Sequence, residues 1–330
     1  MSPAPAETLA PPPAVAILGP TASGKSALGL ALAEILGGEI VCCDSMQVYR
    51  GMDIGTAKAS AAERAAVPHH LLDLAEPGEQ FHAAAWAEAA RVIIESARLR
   101  GRLPIIVGGT GLYYRALVKG LFDAPKPDPV IRARHQAEAA EQGIPALQER
   151  LRAIDPEAAA KILPGDLVRT SRALEVYEQT GVPISALRRQ QAVMPPPLCI
   201  FSVLLDFDLD HLRPNIASRV DAMMVAGFLD EVRALRGAGH GAARAMQALG
   251  YKQLGQHVDG AMALEEAVAG IKSATVAYAR RQRTWFRRER IHLRAHGPLL
   301  PSALAKLIRG WLSIEGARLH SVLEQRMLHP

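Results

Sequence analysis

Residues 19–26 read Gly19-Pro20-Thr21-Ala22-Ser23-Gly24-Lys25-Ser26, which matches the pattern GxxxxGK[ST]. The apolar run 15–18 precedes this stretch and an amphipathic pattern over 27–36 follows it, so a strand should lead through a loop into a helix. Glycines let the backbone wrap an anion, the loop N–H groups and the helix N-terminus carry partial positive charge, and Lys25 adds a full charge. The Ser26 hydroxyl is suited to hold Mg²⁺. The loop therefore predicts binding of a polyphosphate or diphosphate.

The rest of the hydrophobic pattern predicts an α/β fold. Further apolar runs at 39–43, 103–107 and 198–205 alternate with helical patterns, which indicates βαβ units and a parallel sheet. A crossover helix over 81–100 should end before Gly101. Helical patterns beyond Asp208 cover 213–226, 228–236 and 263–290. We expect a P-loop NTPase-like parallel sheet core flanked by helices.

Two proline clusters indicate an inserted all-helical domain. The clusters are Pro125/Pro127/Pro129 and Pro195/Pro196/Pro197, and the residues between them carry helical patterns over 130–142, 145–154, 156–162 and 166–180. Proline ends helices and stiffens linkers. The predicted domains are a disordered leader at 1–13, the α/β core at 14–122 plus 198–330, and the inserted domain at 123–197.

Composition fits an enzyme with a large core. The chain has 330 residues, of which 49% are hydrophobic. The first 13 residues lack the basic start and apolar core of a signal peptide, and no apolar run approaches the roughly 18 residues of a membrane span. We expect a cytoplasmic protein that acts as a monomer without a membrane partner. Cys42, Cys43 and Cys199 form no CxxC pair, which argues against a zinc site or a redox couple.

Positive charge is concentrated late in the chain. The net charge is +5 and the pI is near 9.2. Residues 279–290 carry six arginines against one glutamate, which exceeds what a solvated helix face needs. This segment is predicted to contact a nucleic-acid backbone, with Arg281 and Arg288 as the test positions. Tyr278 and Trp285 are expected in the core, as are Met223 and Met224.

Two further strand ends carry candidate site residues. Asp44-Ser45-Met46-Gln47 follows the second strand, and Gly108-Gly109-Thr110-Gly111 follows the third. Parallel strands place ligands at their carboxyl ends, so both loops should face the phosphate loop. Asp44 is then a candidate base or metal ligand, and the glycines let Thr110 approach a ligand closely. His69 and His70 are expected to be structural.

Seven motifs, in this order and spacing, carry a family resemblance over about residues 14–290: GPTASGKS, DSMQVYRGMDIGTAK, HHLLD, VGGTGLYYRAL, RALEVYEQTG, ALGYKQL and ARRQRTWFR. Together they resemble the tRNA dimethylallyltransferase family, in its compact bacterial form. The resemblance implies transfer of a dimethylallyl group from dimethylallyl diphosphate to the exocyclic amine of the adenosine just 3′ of a tRNA anticodon. The phosphate loop would hold the donor's diphosphate with Mg²⁺.

The resemblance also implies roles for the site residues. Asp44 would accept a proton from the amine as its nitrogen attacks the allylic carbon, which helps because the lone pair is delocalised into the ring. Lys25, Mg²⁺ and the Thr110 hydroxyl would stabilise charge on the departing diphosphate. The target base must be turned out of the anticodon loop into a pocket. The positions that resemble tRNA-contacting ones are Asp44, Ser45, Met46, Gln47, Thr110, Arg132, Val168, Arg169, Thr170, Ser171, Arg172, Arg281 and Arg288.

The chain departs from the family pattern at two positions. Val168 stands where the family usually has Gln, and an aliphatic side chain makes no hydrogen bonds to a base. Arg169 and Arg172 remain available for phosphate or base contact. Val276 stands where an arginine is common, and the loss of one phosphate contact should reduce the salt slope of RNA binding by about one unit.

Three other functions fit parts of the sequence. A small-molecule kinase of the shikimate or nucleoside type shares the loop and the core but leaves the late arginines unused. An RNA-binding switch driven by a nucleotide would want a Walker B strand ending, and the nearest is Asp206 after 204–205. A relative that prenylates free adenine nucleotides would share the donor site without needing the inserted domain.

Overall fold

The computed structural model describes residues 13–121, 125–192 and 198–328. Its centre is a parallel sheet of six strands in the order β3-β2-β4-β1-β5-β6. In chain order the strands are β1 Pro13–Leu18, β2 Gly38–Cys43, β3 His69–His70, β4 Leu103–Gly108, β5 Cys199–Leu205 and β6 Leu293–Ala295. The predicted α/β class and the four longer strands are confirmed. The short β3 and β6 escaped prediction because two or three residues show no periodicity.

The described residues also form α-helices in both parts of the chain. They are α1 Lys25–Leu36, α2 Ala61–Ala66, α3 Ala83–Leu99, α4 Gly111–Lys119, α5 Pro129–Gln142, α6 Ile144–Ile154, α7 Pro156–Lys161, α8 Leu167–Thr180, α9 Ile184–Ala192, α10 Leu209–Val225, α11 Phe228–Leu235, α12 Tyr251–Val258, α13 Leu264–Phe286 and α14 Pro301–Leu328. Helix α3 buries Trp86, Ala90 and Ile94 and contacts β2 and β4, as expected of a crossover helix. Helix α14, for which the sequence offered no interpretation, packs on α1 through Leu304 and Ile308, among other buried residues.

Two predicted helix boundaries are wrong by four residues. Helix α10 starts at Leu209 instead of 213, because the Asp208 side chain accepts the His211 N–H and caps it there. Helix α13 ends at Phe286 instead of 290. The Arg294 guanidinium donates to the carbonyl oxygens of Phe286 and Glu289, which holds the chain in a turn. Arg287, Arg288 and Arg290 therefore lie beyond the helix.

The chain divides into two compact units. One, the sheet unit, comprises Met1–Val118 and Pro197–Pro330, and the other, the helical unit, comprises Lys119–Pro196. The helical unit has its own core, whose buried members include Leu147, Leu151, Leu174 and Ile184. The predicted inserted domain at 123–197 corresponds to most of this unit, and α9 was not among its predicted helices.

Some predictions fall outside the described residues. These are the leader, apart from Pro13, which begins β1, and the second proline cluster. Within the helices that the structure describes, none is long and apolar enough to cross a membrane.

Candidate active site

The phosphate loop has the geometry that its sequence predicts. It connects β1 to α1, and Gly24 caps the helix at a φ of 81°, a value that glycine adopts without strain. Gly19 is needed for a different reason: a Cβ there would lie 2.7 Å from Ser23 Oγ and 3.1 Å from the Leu205 carbonyl oxygen. No side chain caps the N-terminus of α1. The first N–H groups of α1 are thus left for an anion.

Two cations face the space beside this loop. Lys25 Nζ donates to the Pro20 carbonyl oxygen at 3.2 Å, and Arg219 on α10 lines the same cavity. Burial and the nearby Arg219 charge lower the pKa of Lys25 to about 8, although Asp44 acts in the opposite direction. Burial likewise lowers the pKa of Arg219. Two partly buried cations that repel each other favour binding of an anion beside them.

Asp44 and Thr110 come together because β2 and β4 are neighbours in the sheet. The Ser45 N–H donates to Thr110 Oγ1 at 3.1 Å, and the Thr110 N–H donates to the Cys43 carbonyl oxygen at 3.2 Å. Asp44 Oδ1 accepts the Met46 N–H at 2.8 Å, which orients the carboxylate. The strands can approach this closely because Gly108 has no side chain: a Cβ there would lie 2.0 Å from the Cys43 oxygen.

A cavity of about 490 Å³ is lined by residues of the phosphate loop, by Arg219 and by Asp44. Gly108, in the segment that leads to Thr110, also lines it, whereas Thr110 itself is not on the wall. Predicted site residues on its wall are Thr21, Lys25, Ser26, Asp44, Ser45, Met46, Gln47 and Arg281. Residues that sequence reasoning missed or placed elsewhere are Arg219, Tyr278, Gln282, Met223, Phe228, Leu249, Tyr251 and Ile271. The expectation that Tyr278 and Met223 pack in the core is therefore wrong, because both side chains line the cavity. Arg219 carried no sequence signal, since it lies in an ordinary amphipathic helix.

Two charged side chains, the partly buried Glu231 and the buried Lys58, hold the chain after Asp44 in place. Glu231 accepts the backbone N–H groups of residues 53–55 at 2.6 to 3.1 Å and the Tyr251 hydroxyl at 2.6 Å. Lys58 donates to the Tyr49 carbonyl oxygen and to the carboxylates of Asp53 and Asp73. The motif DSMQVYRGMDIGTAK thus builds one wall of the cavity as a rigid loop.

Several other residues singled out by sequence have structural roles. His70 Nε2 lies 2.8 Å from Glu39 Oε2, which gives it the predicted structural role. His69 Nδ1 lies 2.8 Å from the Val67 carbonyl oxygen, but His69 also lines the cavity, so its purely structural role stays a prediction. Trp285 packs on Gly111, and the Arg115 guanidinium lies 4.3 Å from its ring centroid.

The late arginines differ in what they contact. Arg283 Nε donates to Asp206 Oδ1 at 3.1 Å, and both side chains are mostly buried. Arg283 therefore does not belong to the predicted clamp, and Asp206 is an ion-pair partner after β5. Arg281 and Arg288 are exposed, as are Arg280, Arg287 and Arg290.

In the helical unit, two predicted RNA contacts are paired with a buried carboxylate. The Glu175 side chain is inaccessible and accepts hydrogen bonds from Arg132 Nε at 3.2 Å, Arg172 Nη1 at 2.7 Å and the Asp128 N–H at 2.5 Å. Arg172 also donates to the Pro125 carbonyl oxygen. Burial alone would raise the pKa of Glu175, but these donors hold it below its ordinary value. RNA contact through Arg132 or Arg172 stays a prediction.

The other predicted RNA contacts on α8, residues 168–171, are partly buried and partly exposed side chains. Thr170 is fully buried, and the Ser171 hydroxyl is bonded to His135 Nδ1 at 2.9 Å. The prediction that these two side chains contact tRNA is wrong, because they point into the core of the helical unit. Val168 is 78% exposed, and Arg169 is exposed as well.

The cavity offers oxygen ligands to a metal ion but no dense ligand cluster. Among the described residues, no group of three or more His, Cys, Asp or Glu could hold a metal. Ser26 and Asp44 line the cavity beside the phosphate loop. Mg²⁺ binds through one or two protein oxygens together with water and phosphate oxygens of a substrate. These residues therefore fit Mg²⁺ held mainly by a phosphorylated ligand.

The sheet, the loop and the cavity define a protein of the P-loop-like α/β class. Residues 47–289 match the family model described as IPP transferase. The tRNA dimethylallyltransferase of Roseiflexus castenholzii is 50% identical over 279 residues, which are 84% of this chain and 90% of the relative. The enzyme of that name from Anaeromyxobacter dehalogenans is 48% identical over 294 residues, 89% of this chain and 98% of the relative.

Solved structures of similar fold carry related names. The tRNA isopentenylpyrophosphate transferase of Bacillus halodurans superposes with a TM-score of 0.66 at 36% identity, covering 94% of this chain and 98% of that one. A eukaryotic dimethylallyltransferase acting on tRNA superposes with a TM-score of 0.70 at 28% identity, covering 83% of this chain and 70% of that one. The chain belongs to the IPP transferase family.

Proposed function

We propose that this protein transfers a dimethylallyl group from dimethylallyl diphosphate to the exocyclic N6 amine of the adenosine 3′-adjacent to the anticodon in tRNA, releasing diphosphate. The observation that carries the proposal is one cavity whose wall holds the phosphate loop, the cations of Lys25 and Arg219, and the carboxylate of Asp44. Curated relatives at about half identity are named tRNA dimethylallyltransferase, which supports the same reaction.

The donor's diphosphate would lie in the phosphate loop. The N–H groups at the start of α1 would contact its oxygens, with Lys25 and Arg219 on either side. Ser23 Oγ is buried and has no hydrogen-bond partner, so it is free to donate to the same anion. Mg²⁺ bound with Ser26 as a protein ligand would neutralise part of the charge on the diphosphate.

The apolar wall suits the dimethylallyl group. Phe228 and Tyr251 pack edge to face at 5.0 Å between centroids, and Met223, Leu249 and Ile271 line the same cavity. This wall would bury the five-carbon chain and exclude water, which protects an allylic carbon that is losing its leaving group.

Asp44 is proposed as the base. The N6 nitrogen forms a bond to the allylic C1, the C1–O bond breaks with its electron pair on the diphosphate oxygen, and a proton from N6 passes to the Asp44 carboxylate. Lys25 and the Thr110 hydroxyl would stabilise the charge that grows on the leaving oxygen. The Met46 N–H fixes the carboxylate through Oδ1.

The RNA would bind where exposed arginines reach the cavity. Arg281 lines the cavity, and its guanidinium lies 5.6 Å from the Tyr278 ring centroid. Arg288 and its exposed neighbours would hold phosphates. Ser45, Met46 and Gln47 would contact the flipped base, and the Gln47 amide already donates to the Thr56 carbonyl oxygen, which leaves its own oxygen for the base. In the helical unit, the exposed Arg169 and Val168 stay separate predicted contacts to the RNA.

Label transfer tests the proposal. The purified protein is incubated with radiolabelled dimethylallyl diphosphate, Mg²⁺ and an anticodon stem-loop with adenosine 3′ of the anticodon, or with free AMP. A stem-loop with purine riboside at that position lacks the amine and serves as the control. Label in the adenosine stem-loop alone supports the proposal.

The other outcomes identify the alternatives. Label in AMP indicates an adenine-nucleotide prenyltransferase. Label in neither acceptor revives the small-molecule kinase, which release of phosphate from ATP would detect. The nucleotide switch is weakened already, because Asp206 is paired with Arg283. Cytoplasmic location and a monomeric state stay predictions.

A further inference from the structure

Gln282 bridges two loops of the candidate site with the two ends of one amide. On α13 it is only 7% exposed. Its Oε1 accepts the N–H of Thr21 in the phosphate loop at 2.9 Å, and its Nε2 donates to the carbonyl oxygen of Gly109 at 2.9 Å. Both loops are far from Gln282 in sequence, and neither bond was visible in the motifs.

We infer that Gln282 is a positioning residue that sets the separation between the donor's phosphate loop and the loop that carries Thr110. This inference rests on the proposed function and deepens it, because it names what holds the two halves of that site in register. Gln282 touches backbone rather than substrate, so it acts through Thr21 and Gly109.

The packing around the amide leaves it little freedom. A Cβ on Gly109 would lie 2.3 Å from Gln282 Nε2 and 2.9 Å from the Gly19 carbonyl oxygen. Three segments therefore converge on this point: the start of the phosphate loop, the loop after β4, and α13. A shift of the amide would move Thr21 and Gly109 relative to each other.

The chemistry of the bridge requires glutamine. One end must accept from an N–H and the other must donate to a carbonyl oxygen, and a carboxylate or a thioether of similar length does only part of this or none of it. Glutamate would keep the acceptor, lose the donor and place a negative charge beside the proposed diphosphate. Methionine would keep the length and lose both bonds.

The position of Gln282 beside the cavity links it to catalysis as well as to stability. The neighbouring Arg281 and the preceding turn's Tyr278 line the cavity. Gly109 directly precedes Thr110, so movement of the loop at Gly109 would strain the bond from the Ser45 N–H to Thr110 Oγ1 and carry the hydroxyl away from the leaving oxygen. A misplacement of about 1 Å can reduce catalysis on the order of a hundredfold.

The test compares Gln282→Met with Gln148→Met. Gln148 in the helical unit also donates its amide to a backbone carbonyl oxygen, that of Leu163 at 2.9 Å, and is half-buried. We expect Gln282→Met to lower kcat/KM for dimethylallyl diphosphate by about a hundredfold. The Kd for the stem-loop without donor should stay near the value of the unmodified protein, and the Tm should fall by a few degrees because two backbone groups lose their hydrogen-bond partner. Gln148→Met should change none of these.

Gly109→Ala supplies a second variant, which displaces the amide and also crowds the Gly19 carbonyl oxygen. It should lose at least as much activity as Gln282→Met, and the double variant Gly109→Ala/Gln282→Met should lose less than the sum of the two single losses, because both changes break one bridge. Additive losses, or unchanged donor kinetics in Gln282→Met, would overturn the inference. If Gln282→Met weakened stem-loop binding by the same factor as it lowered kcat/KM for dimethylallyl diphosphate, the role of Gln282 would be merely structural. That result would also overturn the inference.

The failure of this inference can be told from the failure of the proposed function. If the unmodified protein transfers label and Gln282→Met does so equally well, only the positioning role is wrong. If the unmodified protein transfers none, the proposed function is wrong. In that case the affinity for inorganic diphosphate with Mg²⁺, measured by calorimetry, still decides: Gln282→Met must weaken it relative to Gln148→Met, or the bridge does not position the loop.

Discussion

Charged side chains are arranged in opposite ways in the cavity of the sheet unit and in the Glu175 cluster of the helical unit, which consists of Glu175, Arg132 and Arg172. In the cavity, Lys25 and Arg219 face the same space, and burial lowers the pKa of both cations. In the cluster, Arg132 and Arg172 converge on the Glu175 carboxylate, whose pKa is held low by its donors. An added anion would stabilise the two like charges of the cavity, whereas the opposite charges around Glu175 already stabilise each other. Buried charge therefore indicates a ligand site where like charges meet and a structural site where opposite charges are paired.

The largest expected effect comes from the cavity. Asp44→Asn should lower kcat by about a thousandfold, because the amide cannot accept the proton from N6. Single-turnover transfer to the stem-loop measures this, and the affinity for the stem-loop checks that the site is intact. Turnover within a few-fold of the unmodified protein would remove Asp44 as the base.

The substitution Glu175→Gln should lower the stability of the fold and leave the transfer reaction unaffected. Removal of the carboxylate leaves Arg132 and Arg172 without their partner, and the expected loss is about 2 kcal/mol of unfolding free energy, reduced from a fully buried pair because both arginines are partly exposed. Denaturant unfolding measures it. The transfer rate below the transition should not change.

The same variant has a pH signature. Because the pKa of Glu175 lies below its ordinary 4.5, the carboxylate contributes stability above that pH and loses it as the pH falls through the lowered value. The stability difference between Glu175→Gln and the unmodified protein should therefore shrink in acid. A constant difference would contradict the ion-pair assignment.

A smaller effect should appear in the pH dependence of diphosphate binding to the cavity. With a pKa near 8, Lys25 loses its proton as the pH rises above that value, and the free protein then binds diphosphate more weakly by up to about tenfold per pH unit. Calorimetry from pH 7 to pH 9 measures the trend. Lys25→Met, titrated in the same buffers, accounts for ionisation of the ligand and should show a flatter profile.

The smallest effect concerns RNA. The double variant Arg281→Gln/Arg288→Gln should reduce the slope of log Kd against log salt by about two units, one for each lost phosphate contact. Arg132→Gln should lower stability, because its guanidinium pairs with Glu175. If Arg132 also makes its predicted RNA contact, the slope should fall by about one unit, and an unchanged slope would limit Arg132 to the pairing with Glu175.

The sequence predicted the parts of the fold that depend on local pattern. The four longer strands, the glycine loop before α1 and the strand-end position of Asp44 follow from hydrophobic runs and glycine spacing, which are read within a few residues. The short strands β3 and β6 do not, because they depend on partners distant in the chain. The end of α13 does not either, because it depends on a side-chain bond from Arg294, eight residues further on, that no periodicity reveals.

The candidate site divides in the same way. Motifs alone named the phosphate loop, Asp44 and Thr110, since their chemistry requires particular residue types at fixed spacing. Arg219, Tyr278 and Gln282 reached the cavity only through the packing of α10 and α13. Arg283 and Thr170 were removed from the RNA surface by burial that no spacing reveals. The sequence by itself determined which chemistry this chain carries, because anion binding and proton transfer demand specific side chains. Tertiary structure decided which charges remain free to act, because burial and pairing depend on elements far apart in the chain.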